Sequence, residues 1–294
     1  MTIRHPMTPD GLAIVALTTR RTAAGPTPDE DRDSPKPLTP TEWSRIAAAL
    51  SSAGGTPSML LGRSVADLDG LLAATAISPD LIARLAERAT TLAMDVERLE
   101  SRGIWLVTVD DTAYPARLRA RLGASAPPVL YGAGAVELLG AGGVAIIGSR
   151  DADPESLAFA SDAAASVARS GRPVISGGAK GIDAAAMNGA ADAGGAVVGV
   201  LADSLERKAR SVALRNLVED ERVVLLSPNG SDVPFSVGLA MGRNRLIYCL
   251  ADLAVVVSAS EGEGGTWAGA TEALKARWDT NAALPAGSPP VSRA

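Results

Sequence analysis

Between Gly143 and Leu201 the chain repeats one pattern: a short apolar run, a glycine-bearing break, then an alanine-rich segment. The first run, Val144 to Ile147, stops at Gly148-Ser149-Arg150, and Leu157, Ala160, Ala164 and Val167 follow at helical spacing. A second run, Pro173-Val174-Ile175, stops at Ser176-Gly177-Gly178-Ala179-Lys180-Gly181. Another alanine-rich helix then leads to a third run, Ala196 to Leu201. Strand, helix, strand, helix, strand at this spacing predicts a parallel half-sheet. Such sheets bind ligands at the carboxyl ends of their strands, where both breaks fall. Glycine lets backbone come close to a ligand, and the amides and dipole of a helix start favour an anion. Arg150 and Lys180 stand at the lips of the two breaks, where a phosphate would want them. The pattern is neither G-x-G-x-x-G nor G-x-x-x-x-G-K-[ST]. Tight strand-to-helix turns are the plainer account of the same glycines.

Composition narrows the chemistry. The 294 residues give room for one large or two modest domains, and with 47% hydrophobic but only 3% aromatic residues the core must be built from Ala, Val, Leu and Ile. A formal net charge of −5 argues against a generally basic coat, so any DNA contact would be a local positive pocket. Cys249 is the only cysteine and His5 the only histidine, which leaves no intrachain disulfide, no cysteine metal cluster and little histidine catalysis. No metal or cofactor is expected. Neither a membrane span nor a signal peptide is evident, and the cytoplasm is the default compartment.

Along the chain, residues 1–38 read as a disordered or loosely attached tail, despite a short apolar patch from Leu12 to Leu17. Residues 39–101 read as a small helical lead domain. In it Thr41 is the expected cap, Glu42 lies in the first turn, and Trp43, Ile46 and Leu50 mark a helix face. Ser64–Ala76 and Pro79–Arg102 carry the later helical stripes. Residues 102–284 form the α/β part, beginning with a strand from Ile104 to Val109. Asp110 and Asp111 fit a turn better than a metal pair, since neighbours on a strand point to opposite faces.

Past the organising stretch, residues 202–221 are highly charged, with Leu205, Val212 and Leu217 apolar and Arg207, Lys208, Arg210 and Arg215 facing out. Val223–Leu226 is the next strand, and Ser227–Asp232 is turn chemistry. A helix over Leu246–Leu250 is expected to lead from Arg243-Asn244-Arg245, whose two arginines diverge by about 200° on a helix. Leu253–Val257 is a fully apolar strand, and Ser258–Thr266 is a third glycine-rich break, in which Glu261 and Glu263 add negative charge. A helix from Trp267 to Trp278, a short strand at Asn281–Leu284 and a tail over 285–294 complete the chain.

Gly148-Ser149-Arg150, Ser176 to Asp183 and Arg243 to Ile247 resemble the DNA-processing protein A (DprA, Smf) family in its order. So do Thr108 to Pro115 and Pro127 to Tyr131 upstream, and the likeness runs roughly from Arg102 to Leu274. It implies an extended Rossmann-like parallel sheet behind a small N-terminal helical domain. It also implies a non-catalytic homodimer that protects single-stranded DNA and passes it to RecA. Arg150, Lys180 and Arg243 would neutralise phosphates, with Ser149, Ser176 and the amides of Gly177, Gly178 and Gly181 adding hydrogen bonds. Gly148, Asn244, Arg245, Gly265 and Thr266 complete the implied nucleic-acid site. The chain departs from the family in lacking a Tyr-Pro pair near residue 210, and no residues are left for a C-terminal winged helix. Ala240 also stands where the family has Phe, so a base-stacking ring is missing unless Phe235 supplies it. Two alternatives stay open. One is a nucleotide-binding protein similar to the lysine-decarboxylase-like (LOG) group, although Glu272 lies too far past Thr266 to serve as its acid. The other is a chain that keeps the fold and has lost DNA binding.

Overall fold

Five consecutive apolar side chains, Ala13 to Leu17, leave a helix no face for water, and such a segment is stable only when surrounded. In the computed structural model it is helix α1 (Pro9–Thr18), with all five residues buried. The structure describes residues 7–20, 34–211, 220–231, 233–259, 262, 264–276 and, as backbone, 281–283. His5, residues 21–33, Val212, Arg215, Leu217, Asp232, Glu261, Glu263, Trp278, Leu284 and the tail over 285–294 lie outside them. The chain divides into two compact units, residues 1–114 with 122–131 and residues 115–121 with 132–294.

The first unit is built around α1. Thr8 caps it by accepting from Gly11 N at 3.0 Å, and Asp10 Oδ1 accepts from Ser58 N at 2.8 Å. At the other end Arg88 Nη2 donates to the carbonyls of Ala16 and Thr19. Reading residues 1–38 as a tail is therefore corrected over 9–18: averaging over polar neighbours hid a core helix. Helices α2 (Pro40–Ser52), α3 (Val65–Leu72), α4 (Pro79–Ala86) and α5 (Ala89–Ser101) follow. Thr39, not Thr41, caps α2 in a reciprocal box with Glu42, and Pro40 takes the first helical position. Ile46, Leu50, Leu68, Leu72, Ile82, Leu85, Leu92 and Leu99 complete this core. Strand β1 (Trp105–Thr108) ends in a turn where Asp111 Oδ2 accepts from Thr108 N and Oγ1 at 2.6 and 2.9 Å. That carboxylate closes a turn, as expected. Strand β2 (Val129–Gly134) begins in this unit and ends in the next.

The second unit holds α6 (Ala116–Leu122), β3 (Val144–Gly148), α7 (Pro154–Arg169), β4 (Val174–Ser176), α8 (Ile182–Asp192), β5 (Val197–Val200) and the short α9 (Leu205–Ala209). It continues with β6 (Val223–Ser227), α10 (Val237–Leu250), β7 (Leu253–Ser258), α11 (Gly264–Lys275) and β8 (Asn281–Ala283). The strand order β6-β5-β4-β3-β7-β8 is parallel at every neighbouring pair. This is the α/β class expected. The shortage of aromatic side chains is met by close approach: α7 and α8 pack through Ala160, Ala164, Ala186 and Ala190. A Cβ on Gly189 would lie 2.5 Å from Ser161 O, so the helices touch backbone to backbone there. At the amino ends of the strands, Asp252 accepts from Arg117, from Arg172 Nη2 at 2.6 Å and from Gly143 N at 3.0 Å. That knot ties together the approaches to β3, β4 and β7. Among the described residues, no helix is long and apolar enough to cross a membrane.

Candidate nucleic-acid interface

Strand β3 has β4 on one side and β7 on the other. The chain leaves β3 toward β4 and reaches β7 only later, so the loops at their carboxyl ends part and leave a crevice. A cleft of about 340 Å³ lies there, lined by Gly148, Ser149 and Arg150 after β3, by Phe235, Val237, Met241, Arg243 and Asn244 on and before α10, and by Gly264, Gly265 and Thr266 at the start of α11. Asn244 Nδ2 donates to Gly265 O at 2.9 Å and Thr266 Oγ1 to Gly148 O at 3.2 Å, fixing the start of α11 to both neighbours. The guanidinium of Arg150 lies over the ring of Phe235, 5.0 Å from its centre.

Two oppositely charged side chains, Asp183 and Arg243, are buried in the cleft wall. Asp183, in the first turn of α8, accepts from Ala179 N at 3.4 Å, and the amides of Gly148 and Gly177 also stabilise its charge. Burial nevertheless raises its pKa above the usual carboxylate range, against the pull of Arg243. Burial likewise lowers the pKa of Arg243, opposed by Asp183, and its Nη1 donates to Val200 O at 2.8 Å. Gly177 has no room for a Cβ, which would collide with Arg243 Nη1 and lie 2.5 Å from Asp183 Oδ2. Gly181, the N-cap of α8 at φ +78°, has the carbonyls of Ser149 and Arg150 against its α-carbon. Both glycines let the protein approach itself.

The sequence-derived site residues thus separate into two groups. Gly148, Ser149, Arg150, Arg243, Asn244, Gly265 and Thr266 line the cleft, with Arg150 exposed and Arg243 only 5% exposed. Ser176 is fully buried and donates to Ile146 O at 2.7 Å, joining β4 to β3. Gly177 and Gly178 lie on the β4–α8 loop with Lys180, which is exposed outside the cleft lining. Arg245 faces α11, with Glu272 at 3.8 Å. The helix carrying the arginines starts after Ser236, whose side chain accepts from Leu239 N at 3.2 Å, so the triplet sits mid-helix and the expected start near Leu246 is corrected. Of the basic face beyond β5, Arg207 and Arg210 are exposed, with Asp203 at 3.9 Å and Glu206 at 3.8 Å. Lys208 instead turns inward and donates to Gly178 O at 3.1 Å, and burial lowers its pKa. Asp183 was legible only as part of a motif, and Val237 and Met241 carried no signal beyond being apolar.

Fold and cleft together define a parallel α/β protein with a cleft at the switch point between β3 and β7. The family described as DNA recombination-mediator protein A matches residues 105–286, and the chain belongs to that family. A Mycobacterium tuberculosis protein named for the DNA processing protein DprA is 34% identical over 182 residues, covering 56% of this chain and 46% of its own length. The chain therefore spans about half the length of the curated relatives it matches. The crystal structure of DNA processing protein A from Streptococcus pneumoniae superposes with a TM-score of 0.62 at 21% identity, covering 83% of this chain and 82% of that one. The Helicobacter pylori protein, described for its single-stranded DNA binding mode, gives a TM-score of 0.49 at 24% identity over 60% of this chain and 80% of its own.

Proposed function

We propose that the chain binds single-stranded DNA through the loops at the carboxyl ends of β3, β4 and β7, without reacting on it. It then presents the strand to a RecA-type recombinase in the cytoplasm, acting as a homodimer. Family membership carries the DNA-processing role, and the description of that family as a recombination mediator supports the recombinase as recipient. Arg150 and Lys180 supply the exposed positive charge. Arg243 has a different part in this reading: already paired with Asp183, it holds the loops that offer the other two. The buried carboxylate is likewise committed to amides and a guanidinium, which supports a binding role over an acid–base one. The LOG-like alternative is not favoured, since Glu272 faces Arg245 and is absent from the cleft lining.

Binding of labelled oligo-dT, followed by fluorescence anisotropy across a salt series, tests the reading. Wild type is expected to bind at low salt and to weaken as salt rises. Arg150→Ala and Lys180→Ala should each flatten the log–log salt slope by about 0.7, the value for one lost single-strand phosphate contact. No binding at low salt would sink the DNA reading.

A further inference from the structure

The chain has four lysines: Lys36, Lys180 and Lys275 are exposed, and Lys208 is half-buried. Lys208 sits on the short helix α9, outside the cleft lining, and its Nζ donates to Gly178 O on the β4–α8 loop at 3.1 Å. The surroundings are apolar. A Cβ on Gly178 would lie 2.8 Å from Leu201 Cδ2, 3.6 Å from Lys208 Nζ and 3.8 Å from Met187 Sδ. The amine thus ends against a neutral carbonyl, hydrocarbon and sulfur rather than a carboxylate. Burial works most strongly against its charged form; Asp203 opposes that, Arg243 and Arg207 add to it, and Asp183 opposes it. Asp203 is also shared with Arg207, at 3.9 Å. A lysine both desolvated and set beside other cations is an activated amine nucleophile.

The neighbour that selects the reagent is Arg207. Its side chain is 79% exposed, so its guanidinium offers positive charge to the solvent beside the half-buried amine. That arrangement suits an electrophile that carries its own negative charge. We propose that Lys208 is a site of acylation by small acyl phosphates. The Nζ lone pair attacks the carbonyl carbon, a C–N bond forms, and the C–O bond to phosphate breaks. The phosphate leaves with that electron pair and takes up the proton that the nitrogen gives up, while Arg207 balances its charge. The product is a neutral amide, so the loop bearing Lys180 loses its ammonium tie to α9. The inference stands whatever the cleft binds.

The test treats the intact chain with acetyl phosphate at neutral pH and follows acetylation at each lysine by peptide mass spectrometry over time. Lys208 is expected to react several-fold faster than exposed Lys36, Lys180 and Lys275. In urea, where all four amines are solvated alike, that lead should vanish. At constant ionic strength, inorganic phosphate should slow acetylation of Lys208 by acetyl phosphate and leave its acetylation by a neutral acetyl ester unchanged. A rate at Lys208 equal to or below those of the other three in the folded protein would overturn the site. A lead that persists in urea would overturn its origin in the fold. Acetylation by acetyl phosphate that ignores added phosphate would overturn the acyl phosphate as its reagent.

Discussion

Asp183 occupies the place that glycine-rich breaks read from sequence reserve for an incoming anion. Its carboxylate draws on the amides of Ala179, Gly148 and Gly177 and is balanced by Arg243, so one side chain gathers the ends of β3, β4 and β5. The glycine pattern was legible, but it cannot tell an outside phosphate from a carboxylate a few residues further along the same chain. Removing one partner of a buried pair strands the other charge. Asp183→Ala is therefore expected to lower stability by about 3–5 kcal/mol in urea unfolding. Exposed Arg150→Ala should stay within about 0.5 kcal/mol of wild type. A small loss for Asp183→Ala would mean that the pair is not the keystone of the loops.

At the level of elements, what could be read depended on periodicity. The segments of the parallel sheet announced themselves because each apolar run ends in a break and each helix repeats at its proper spacing. Helix α10 did not, since Gly238 and Gly242 interrupt the signal and leave helical spacing evident only from Leu246. That shift matters because the start of a helix fixes which face each arginine takes: Arg243 turns to the end of β5 and Arg245 to α11. Helix α1 failed for the opposite reason, having apolar residues all round and therefore no stripe. Its C-terminal carbonyls depend on Arg88, and hydrogen bonds to a charged donor contribute about 1.5–3 kcal/mol. Arg88→Ala should lower the stability of the first unit by about that amount, read through the fluorescence of buried Trp43. An unchanged unfolding midpoint would show that α1 is held by burial alone.

For the whole molecule, the sheet unit carries a carboxylate knot at each end of its strands, and the two respond to pH with opposite sign. Burial works to raise the pKa of Asp252, but hydrogen bonds from Arg117, Gly143 and Arg172 outweigh it and leave the value below normal. Its contribution is complete above the unfolded carboxylate pKa of about 3.9 and is lost as pH falls through the lower folded value. Asp183, with its pKa raised, contributes most below the unfolded value and loses that share as pH rises through the folded one. Asp252→Asn should therefore make urea stability fall less steeply between pH 5 and pH 2 (about the range below which such groups protonate). A slope equal to that of wild type would exclude Asp252 as a source of acid sensitivity. Family and fold class were both legible at this scale, because ordered motifs and strand–helix alternation survive changes that alter individual side-chain roles. The placement of α1 has a further consequence for synthesis. The ribosome makes this apolar helix before the helices that bury it, and a ten-residue helix is marginal in water by itself. Its greasy surface is not fully covered until α5, ending at Ser101, has left the ribosome. The nascent chain is thus most in need of a chaperone before any part of the parallel sheet exists.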